Sequence, residues 1–508
     1  MKTLFRKAQI LTIGGPHGEQ PFEGDLLIED DCIAAIGADL GEIRDATVLD
    51  GRDRLIMPGL VNAHLHSSEQ FFKGRYERMP LEVWLLYAYP LLMGPEISER
   101  LITLRSMLVA IESLKSGVTT ICDDFFDPPT LSLERIGAVF SAYEAAGIRA
   151  NVSNSIINIA PLDALPFARE IVPPELQRAL DAGERVTGAV YADYCRKVFS
   201  TFHGRAGRLR YMISPSAPQR CTMDLLEACA ALAKTYAVPF HTHVLETKTQ
   251  AVTGSEIFGV SLIRYLNDHR LLSRNVAIAH SVWVSDEDMR LMGEAGCSVA
   301  HNAVSNLKLG SGVAPARRLM DAGVTIALGT DGASSNDTLR MFDVMRVAAL
   351  LHSAMGPDPS RWLTAADILR AATIGGAYSA MLEKETGSLE VGKRADLIML
   401  RTDTLAFTPM NDVRKHLVYA ENGSSLELVM VNGAVVLRDN KLTQVDEDEI
   451  LREVRELTRA YLAGHREVEE RNRALEPYMA EIHRRATLSD IGLNRYVGDW
   501  FPPGANRG

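Results

Sequence analysis

The sequence predicts an α/β protein: a (β/α)8 barrel of TIM type, a small β-sandwich domain built from both chain ends, and a C-terminal helical extension. Three observations carry this expectation. Eight short apolar segments alternate with helical stretches through the middle of the chain, the pattern of a parallel α/β fold. Strand-rich pieces too short to bury their own apolar faces stand at both ends. Metal-ligand residue types recur at the C-terminal ends of the apolar segments, where barrels of this kind carry their sites. The expected limits are 1–57 and 390–445 for the β-domain, 58–389 for the barrel and 446–508 for the extension.

Ala8 to Ile13 reads as a strand, and Asp25 to Gly37 as a hairpin turning at Asp30-Asp31. Pro58-Gly59 then punctuates the start of a short buried strand, Leu60 to His66. Seven further strands are expected within residues 118–122, 148–153, 209–214, 238–244, 276–280, 297–301 and 324–331. Helical patterns such as Arg100–Ser116 and Met223–Tyr236 fill the gaps. A doubly wound open sheet is the alternative, but no glycine-rich nucleotide loop follows the first strand. Strand material returns at Ala395–Leu400 and at Leu428–Leu437, the latter a hairpin through Asn432-Gly433. Past Val445, Asp446-Glu-Asp-Glu449 opens a helix on which Ile450, Leu451, Val454, Leu457 and Tyr461 recur at helical spacing. That helix is expected to run through Arg484, before a tail with Trp500 and Phe501 that packs on the barrel or on a second subunit.

The net charge of −11 is spread along 508 residues, which argues against nucleic acid or an anionic membrane as the main partner. The six cysteines form no CxxC pair, and read as reduced thiols of a cytoplasmic protein. The first residues lack the apolar core of a signal peptide, and no apolar run reaches bilayer-spanning length.

The polar residues at the strand ends carry the chemistry. His64 and His66, two apart on a strand, project to one face and offer two imidazoles side by side. His243 stands on the fifth expected strand, His280 ends the sixth and Asp331 ends the eighth. Imidazoles with a carboxylate give the N/O ligation of one divalent ion, Zn2+ or alternatively Fe2+, with an open position for water. Glu246, three residues past His243, is a loop carboxylate placed to shuttle protons beside that ion. His241 lies deeper on the same strand, supporting the ligands or packing in the core. His301 ends the seventh strand and either contacts substrate or packs. Asn336 and Asp337 are expected to hold the loop after Asp331.

These residues sit in an ordered set of segments: Pro58-Gly-Leu-Val-Asn-Ala-His-Leu-His66, Ser116-Gly-Val-Thr-Thr120, His243-Val-Leu-Glu246-Thr, Ala279-His280, His301-Asn-Ala-Val-Ser-Asn-Leu-Lys-Leu309, Gly329-Thr-Asp331-Gly and Gly387-Ser-Leu-Glu-Val-Gly-Lys-Arg-Ala-Asp396. With them the chain resembles the amidohydrolase superfamily, in particular its mononuclear-metal branch of guanine, cytosine and S-adenosylhomocysteine deaminases and triazine hydrolases. The resemblance spans residues 1 to 445 and stops before the extension. It implies metal ligation by His64, His66, His243 and Asp331, a proton shuttle at Glu246, and a water oriented by His280 and deprotonated by Asp331. Two-metal relatives carry a carbamylated lysine at the end of the fourth strand; Met212 to Pro218 contains no lysine, which implies one metal.

The implied activity is metal-dependent hydrolytic deamination of an aminated N-heterocycle of purine, pterin, pyrimidine or triazine type, with ammonia released after attack by metal-activated water. Ser216 stands where several purine-type relatives hold substrate with a histidine, and the presence of Glu246 favours loss of an amine over loss of chloride. The alternatives are removal of an alkylamine or chloride from a triazine-like ring, opening of a cyclic amide, or a non-catalytic scaffold. Gln70, Trp84, Gln219, Arg220 and His301 are the expected substrate contacts, with Tyr87 read as helix core. By the same resemblance the protein is a cytoplasmic homo-oligomer, a dimer or tetramer.

Overall fold

Eight parallel strands alternate with helices around a central axis: β1 (Leu60–Leu65), β2 (Val118–Phe125), β3 (Arg149–Ile156), β4 (Leu209–Tyr211), β5 (Phe240–Val244), β6 (Val276–His280), β7 (Ser298–His301) and β8 (Thr325–Leu328). The computed structural model describes residues 1–92, 94, 97–128, 131–182 and 185–497, so Trp500 and Phe501 of the expected tail lie outside the described residues. Strands β1 to β4 form one parallel ladder and β5 to β8 another. A bridge between Ile213 and Phe240 joins the two at β4 and β5. The other seam, β8 to β1, is closed by side chains as well as backbone. Asn62 Nδ2 donates to Thr330 Oγ1 at 2.7 Å, Thr330 N donates back to Asn62 Oδ1 at 3.0 Å, and Asp331 N donates to His64 O at 3.0 Å.

The fourth strand is broken where the sequence suggested continuity: after Tyr211 the ladder resumes only at Ser214–Pro215. Pro215 has no N–H to give to a ladder, which limits it to a strand margin. The helix expected at 100–116 forms at Glu99–Lys115, capped by Ser98, whose side chain accepts from Leu101 N.

Both chain ends contribute to one nine-stranded sheet. Its seam is the antiparallel pairing of Arg54–Pro58 with Leu397–Arg401. Phe5, Ile10, Ile56, Leu397 and Leu428 from both ends share one apolar core. The expected hairpin is present, Phe22–Glu29 against Cys32–Gly37, with Asp30 in the left-handed region at φ 54°. Arg149 at the start of β3 grips Asp396 through two bonds of 2.7 and 3.0 Å, both side chains fully buried, and ties this sheet to the barrel.

The extension is two helices rather than one. A first helix over the barrel mouth, α1 (Leu81–Ala88), is covered by α2 (Glu447–Asn472) and α3 (Glu476–Leu488). The break at Arg473–Leu475 follows from Pro477, whose ring and missing N–H are tolerated in a first turn and not inside a continuing helix. The extension packs on the barrel of its own chain. Arg75 grips Glu469 at 2.6 and 2.9 Å, Asn472 Oδ1 accepts from Leu91 N and Leu92 N, and His483 meets Glu82 at 3.0 Å.

Candidate active site

β1 delivers His64 and, at the residue directly after it, His66; β5 delivers His243, and the turn after β8 delivers Asp331. Two of the six site residues, His280 at φ 74° and Asp331 at φ 62°, adopt the left-handed conformation that a side-chain-bearing residue adopts only at some strain. This conformation breaks strand alternation and re-aims the two side chains at the axis. Gly332 permits the close packing that follows: a Cβ there would stand 1.8 Å from Glu69 Oε2.

Hydrogen bonding fixes which ring nitrogens face inward. His66 Nδ1 lies 2.7 Å from the Asp124 carbonyl oxygen and His243 Nδ1 lies 2.8 Å from that of Ser216. A carbonyl only accepts, so both rings carry a proton on Nδ1 and turn Nε2 to the centre. Those two Nε2 atoms are 3.3 Å apart, a separation that needs a shared proton or a metal cation between them. His64 Nε2 is buried without a hydrogen-bond partner, while its Nδ1 is 2.8 Å from His241 Nε2. Asp331 Oδ1 lies 3.4 Å from both His64 Nε2 and His66 Nε2. Four ligands around one zinc at about 2.0–2.1 Å stand roughly 3.3–3.4 Å from one another. These separations suit a divalent ion, for which His64, His66 and His243 form one group of possible ligands; Asp331 forms others, with His64 and His280 and with His66 and Glu69.

The electrostatics agree. Burial drives the ordinary imidazole value down to about 4 at His64 and about 3 at His241, and well down at His243, so all three are neutral, with His64 and His243 free to ligate and His241 bonded to His64. His66 differs. Burial opposes its charge too, but Asp331, Glu69 and Asp124 together outweigh it and raise the ring to about 9. The carboxylate field that holds a proton on His66 is the field that would hold a metal cation in its place.

Glu246 stands beside this centre. Its carboxyl is buried, which raises it to about 7; Asp331 and Glu82 add to the rise, while His280 and Arg220 oppose it. His280 Nε2 lies 3.7 Å from Glu246 Oε1 and 3.9 Å from Asp331 Oδ2. The Asn306 side-chain oxygen, 2.9 Å from His280 Nδ1, holds that ring in place. Ser305 Oγ donates to Asp331 Oδ2 at 2.6 Å.

A cavity of about 290 Å3 opens onto these groups, lined by His66, His243, Glu246, His280 and Asp331 and by three of the expected substrate contacts, Trp84, Gln219 and Arg220. The other two expected contacts fall outside its lining. Gln70 turns away and donates to Glu112 Oε2 at 3.2 Å. His301 is buried against His352, with the two Nε2 atoms 3.3 Å apart. Tyr87 is buried with its hydroxyl on Glu476. Asn336 donates to Thr330 O at 2.6 Å, and Asp337 accepts from Gly74 N at 2.7 Å, both bracing the loop.

Two carboxylates at the centre were not anticipated. Glu69 is buried beside His66 and Asp331, held by Tyr89 Oη at 2.8 Å and Ser334 Oγ at 2.7 Å. Asp124 Oδ2 lies 4.0 Å from His66 Nδ1 and 3.9 Å from His243 Nδ1. The adjacent Asp123-Asp124 pair at the end of an otherwise apolar strand was the available signal for the second.

A family model described as the amidohydrolase family matches residues 55–436. The chain belongs to the amidohydrolase family. Among similar proteins, a 5-methylthioadenosine/S-adenosylhomocysteine deaminase of Desulforudis audaxviator is 33% identical over 467 residues, covering 90% of this amidohydrolase and 99% of the relative. A 5'-deoxyadenosine deaminase of Methanosarcina barkeri is 31% identical over 450 residues, covering 88% and 95%. Among solved structures, an adenosine deaminase from Xanthomonas campestris with bound zinc superposes with a TM-score of 0.75 at 26% identity, covering 93% of this chain and 98% of that one. An atrazine chlorohydrolase from Arthrobacter aurescens complexed with zinc gives 0.78 at 27%, covering 90% and 99%.

Proposed function

We propose that this amidohydrolase is a hydrolytic deaminase that removes the exocyclic amine of an aminated N-heterocycle, a purine-type ring foremost, and releases ammonia. The observation that carries the reading is Glu246, a buried carboxyl poised near neutral pH and 3.7 Å from His280, at the edge of a cluster built to hold one divalent ion. Proton transfer at a ring nitrogen needs a group that both gives and takes a proton near pH 7. Two deaminase relatives matched over nearly their whole length support the choice of leaving group.

A divalent ion on His64, His66, His243 and Asp331 would lower the pKa of a water from about 15.7 toward roughly 7. Asp331 accepts a proton from that water, while Ser305 fixes its outer oxygen. His280, held by Asn306, keeps the water in line with the ring carbon. Glu246 gives its proton to the ring nitrogen beside that carbon and carries the next one to the departing amine. Trp84 Nε1 and Gln219 Oε1, both buried and without a partner among the described residues, offer one donor and one acceptor to the ring. Arg220 offers donors to a ring carbonyl or an anionic ring form. The same proposal takes zinc as the ion and a cytoplasmic homo-oligomer, dimer or tetramer, as the working form. No helix among the described residues is long and apolar enough to cross a membrane.

The test is ammonia release by zinc-loaded protein from aminated purines, pterins, pyrimidines and triazines. Release from one ring class supports the reading. The likeness to an atrazine chlorohydrolase favours a second reading, loss of chloride or an alkylamine from a triazine. Chloride or alkylamine in place of ammonia would establish it and overturn the first.

A further inference from the structure

The lining of the cavity is of two kinds. One is the set of imidazoles with Glu246, Gln219 and Arg220; the other is apolar and includes Leu85, Phe126, Ile157, Ile159, Leu309 and Met479. Met479 belongs to α3, in the extension, beyond residue 436 where the family match stops. It is buried, and α3 is anchored against α1 by His483 on Glu82 at 3.0 Å.

The polar groups of the lining leave little for a hydroxylated or charged substituent. Apart from Glu246 and Asp331, Glu82 is the one acid in the lining among the described residues. Its carboxylate is already engaged by His483 and by Thr247 Oγ1 at 2.8 Å. Gln250 Oε1 accepts from Glu246 N at 3.0 Å, and Thr253 Oγ1 donates to Thr249 O at 2.9 Å. Thr249 Oγ1 is buried without a hydrogen-bond partner among the described residues and can meet a single hydroxyl. Arg220 is the one cation outside the imidazoles, and its position beside Glu246 places it at the ring end. A ribose diol or an amino-acid tail seated against the apolar wall would be stripped of water with too few replacement bonds, a loss that offsets the packing gain. The volume, near the small end of the range for small-molecule sites, suits a ring with a short substituent.

We infer that the substrate is a heteroaromatic amine bearing a short apolar substituent, and that Met479 of the C-terminal extension is a specificity-determining residue that seats it. This rests on the placement of ring chemistry at the ion cluster proposed above. Each methylene moved from water to the wall is expected to raise kcat/KM about fourfold until the cavity is full, the equivalent of about 0.8 kcal/mol.

The experiment uses the full-length, zinc-loaded protein and two matched series, 9-substituted 6-aminopurines and N-substituted aminotriazines. The substituents are hydrogen, methyl, ethyl, propyl, 2-hydroxyethyl and, on the purine, ribosyl. Ammonia is measured for turnover, and binding of the corresponding unreactive 6-oxopurines is measured by calorimetry. The expected result is a rising ladder from hydrogen to propyl with hydroxyethyl and ribosyl below methyl. In Met479→Gln the propyl-to-methyl ratio should fall about tenfold, and Met479→Leu should restore it. A flat ladder, or ribosyl and hydroxyethyl substrates ahead of propyl, overturns the inference even when ammonia is released. A binding ladder without ammonia upholds it and instead refutes deamination. Binding of no member of either series overturns it as well.

Discussion

Replacing Glu246 by glutamine keeps shape and hydrogen-bonding capacity but removes the transferable proton. The carboxyl stands 3.7 Å from His280 and belongs to none of the three groups of possible metal ligands among the described residues, so metal content should be unchanged. Loss of a positioned acid–base group is worth about 100- to 10,000-fold, and turnover of Glu246→Gln should fall within that range. A second readout comes from stability. Raising the buried carboxyl from 4.5 to about 7 disfavours its ionised form in the folded, metal-free protein by about 3 kcal/mol. The folded state then binds this proton more tightly than the unfolded state. Its contribution is complete below pH 4.5, declines as pH rises to about 7, and is absent above. Glu246→Gln removes that decline. With chelator present, parent and variant should unfold alike near pH 4.5, and at pH 8 the variant should be more stable by up to about 3 kcal/mol. Denaturant unfolding at the two pH values, beside ammonia release and metal analysis of the loaded protein, provides the measurement. Turnover within tenfold of the parent would refute the shuttle. Turnover lost together with metal would make Glu246 a ligand, and no gain at pH 8 would refute its elevated proton affinity.

Zinc uptake near pH 6, below the range where Glu246 and the activated water titrate, should release close to one proton, because His66 alone among the three histidine ligands is raised, to about 9, while His64 is already neutral; calorimetry in buffers of different ionisation enthalpy reads this number. Release of two or three protons would contradict the assignment. His241→Ala, which removes the ring 2.8 Å from His64 Nδ1, should weaken zinc binding about 10- to 100-fold in competition with a chromophoric chelator while leaving the fold intact by circular dichroism. Arg149→Ala leaves Asp396 buried and uncompensated, and should destabilise the protein by about 3–5 kcal/mol in denaturant unfolding.

Much of this centre was legible because metal chemistry restricts residue types and strand geometry restricts their spacing. His64 and His66 share a face by the period of two, and His243, His280 and Asp331 mark strand ends in a chain with few histidines. The errors lie where backbone geometry departs from the strand. Ser67–Phe72 after β1 is a 3-10 turn with three residues per turn, so neighbours diverge by about 120°. Gln70 thereby faces Glu112, while Glu69 is the one carried to Tyr89 and Ser334 beside the ligands. Sequence alone gives a loop glutamate no reason to be buried; the groups that bury this one stand 20 and 265 residues away. His301 and His280 look equivalent as strand-final histidines, yet only His280 has the left-handed φ that re-aims its ring.

The extension shows the other limit. Its helical period was readable, but the single helix expected through Arg484 passes over Pro477, which ends it, and periodicity says that an apolar face is covered and not by what. The covering contacts join residues nearly 400 apart. The turn at Pro477 lays α3 across α1, so that His483 holds Glu82, two residues before Trp84. Glu82 also accepts from Thr247, which follows Glu246 directly and caps the helix whose Gln250 receives Glu246 N. One chain of hydrogen bonds thus runs from the extension through the cavity wall to Glu246, whose backbone N–H donates to Gln250 and whose carboxyl accepts from Gln250 Nε2 at 3.5 Å. A segment outside the family match is therefore coupled to the part of the site common to it, because the same buried Glu82 serves both.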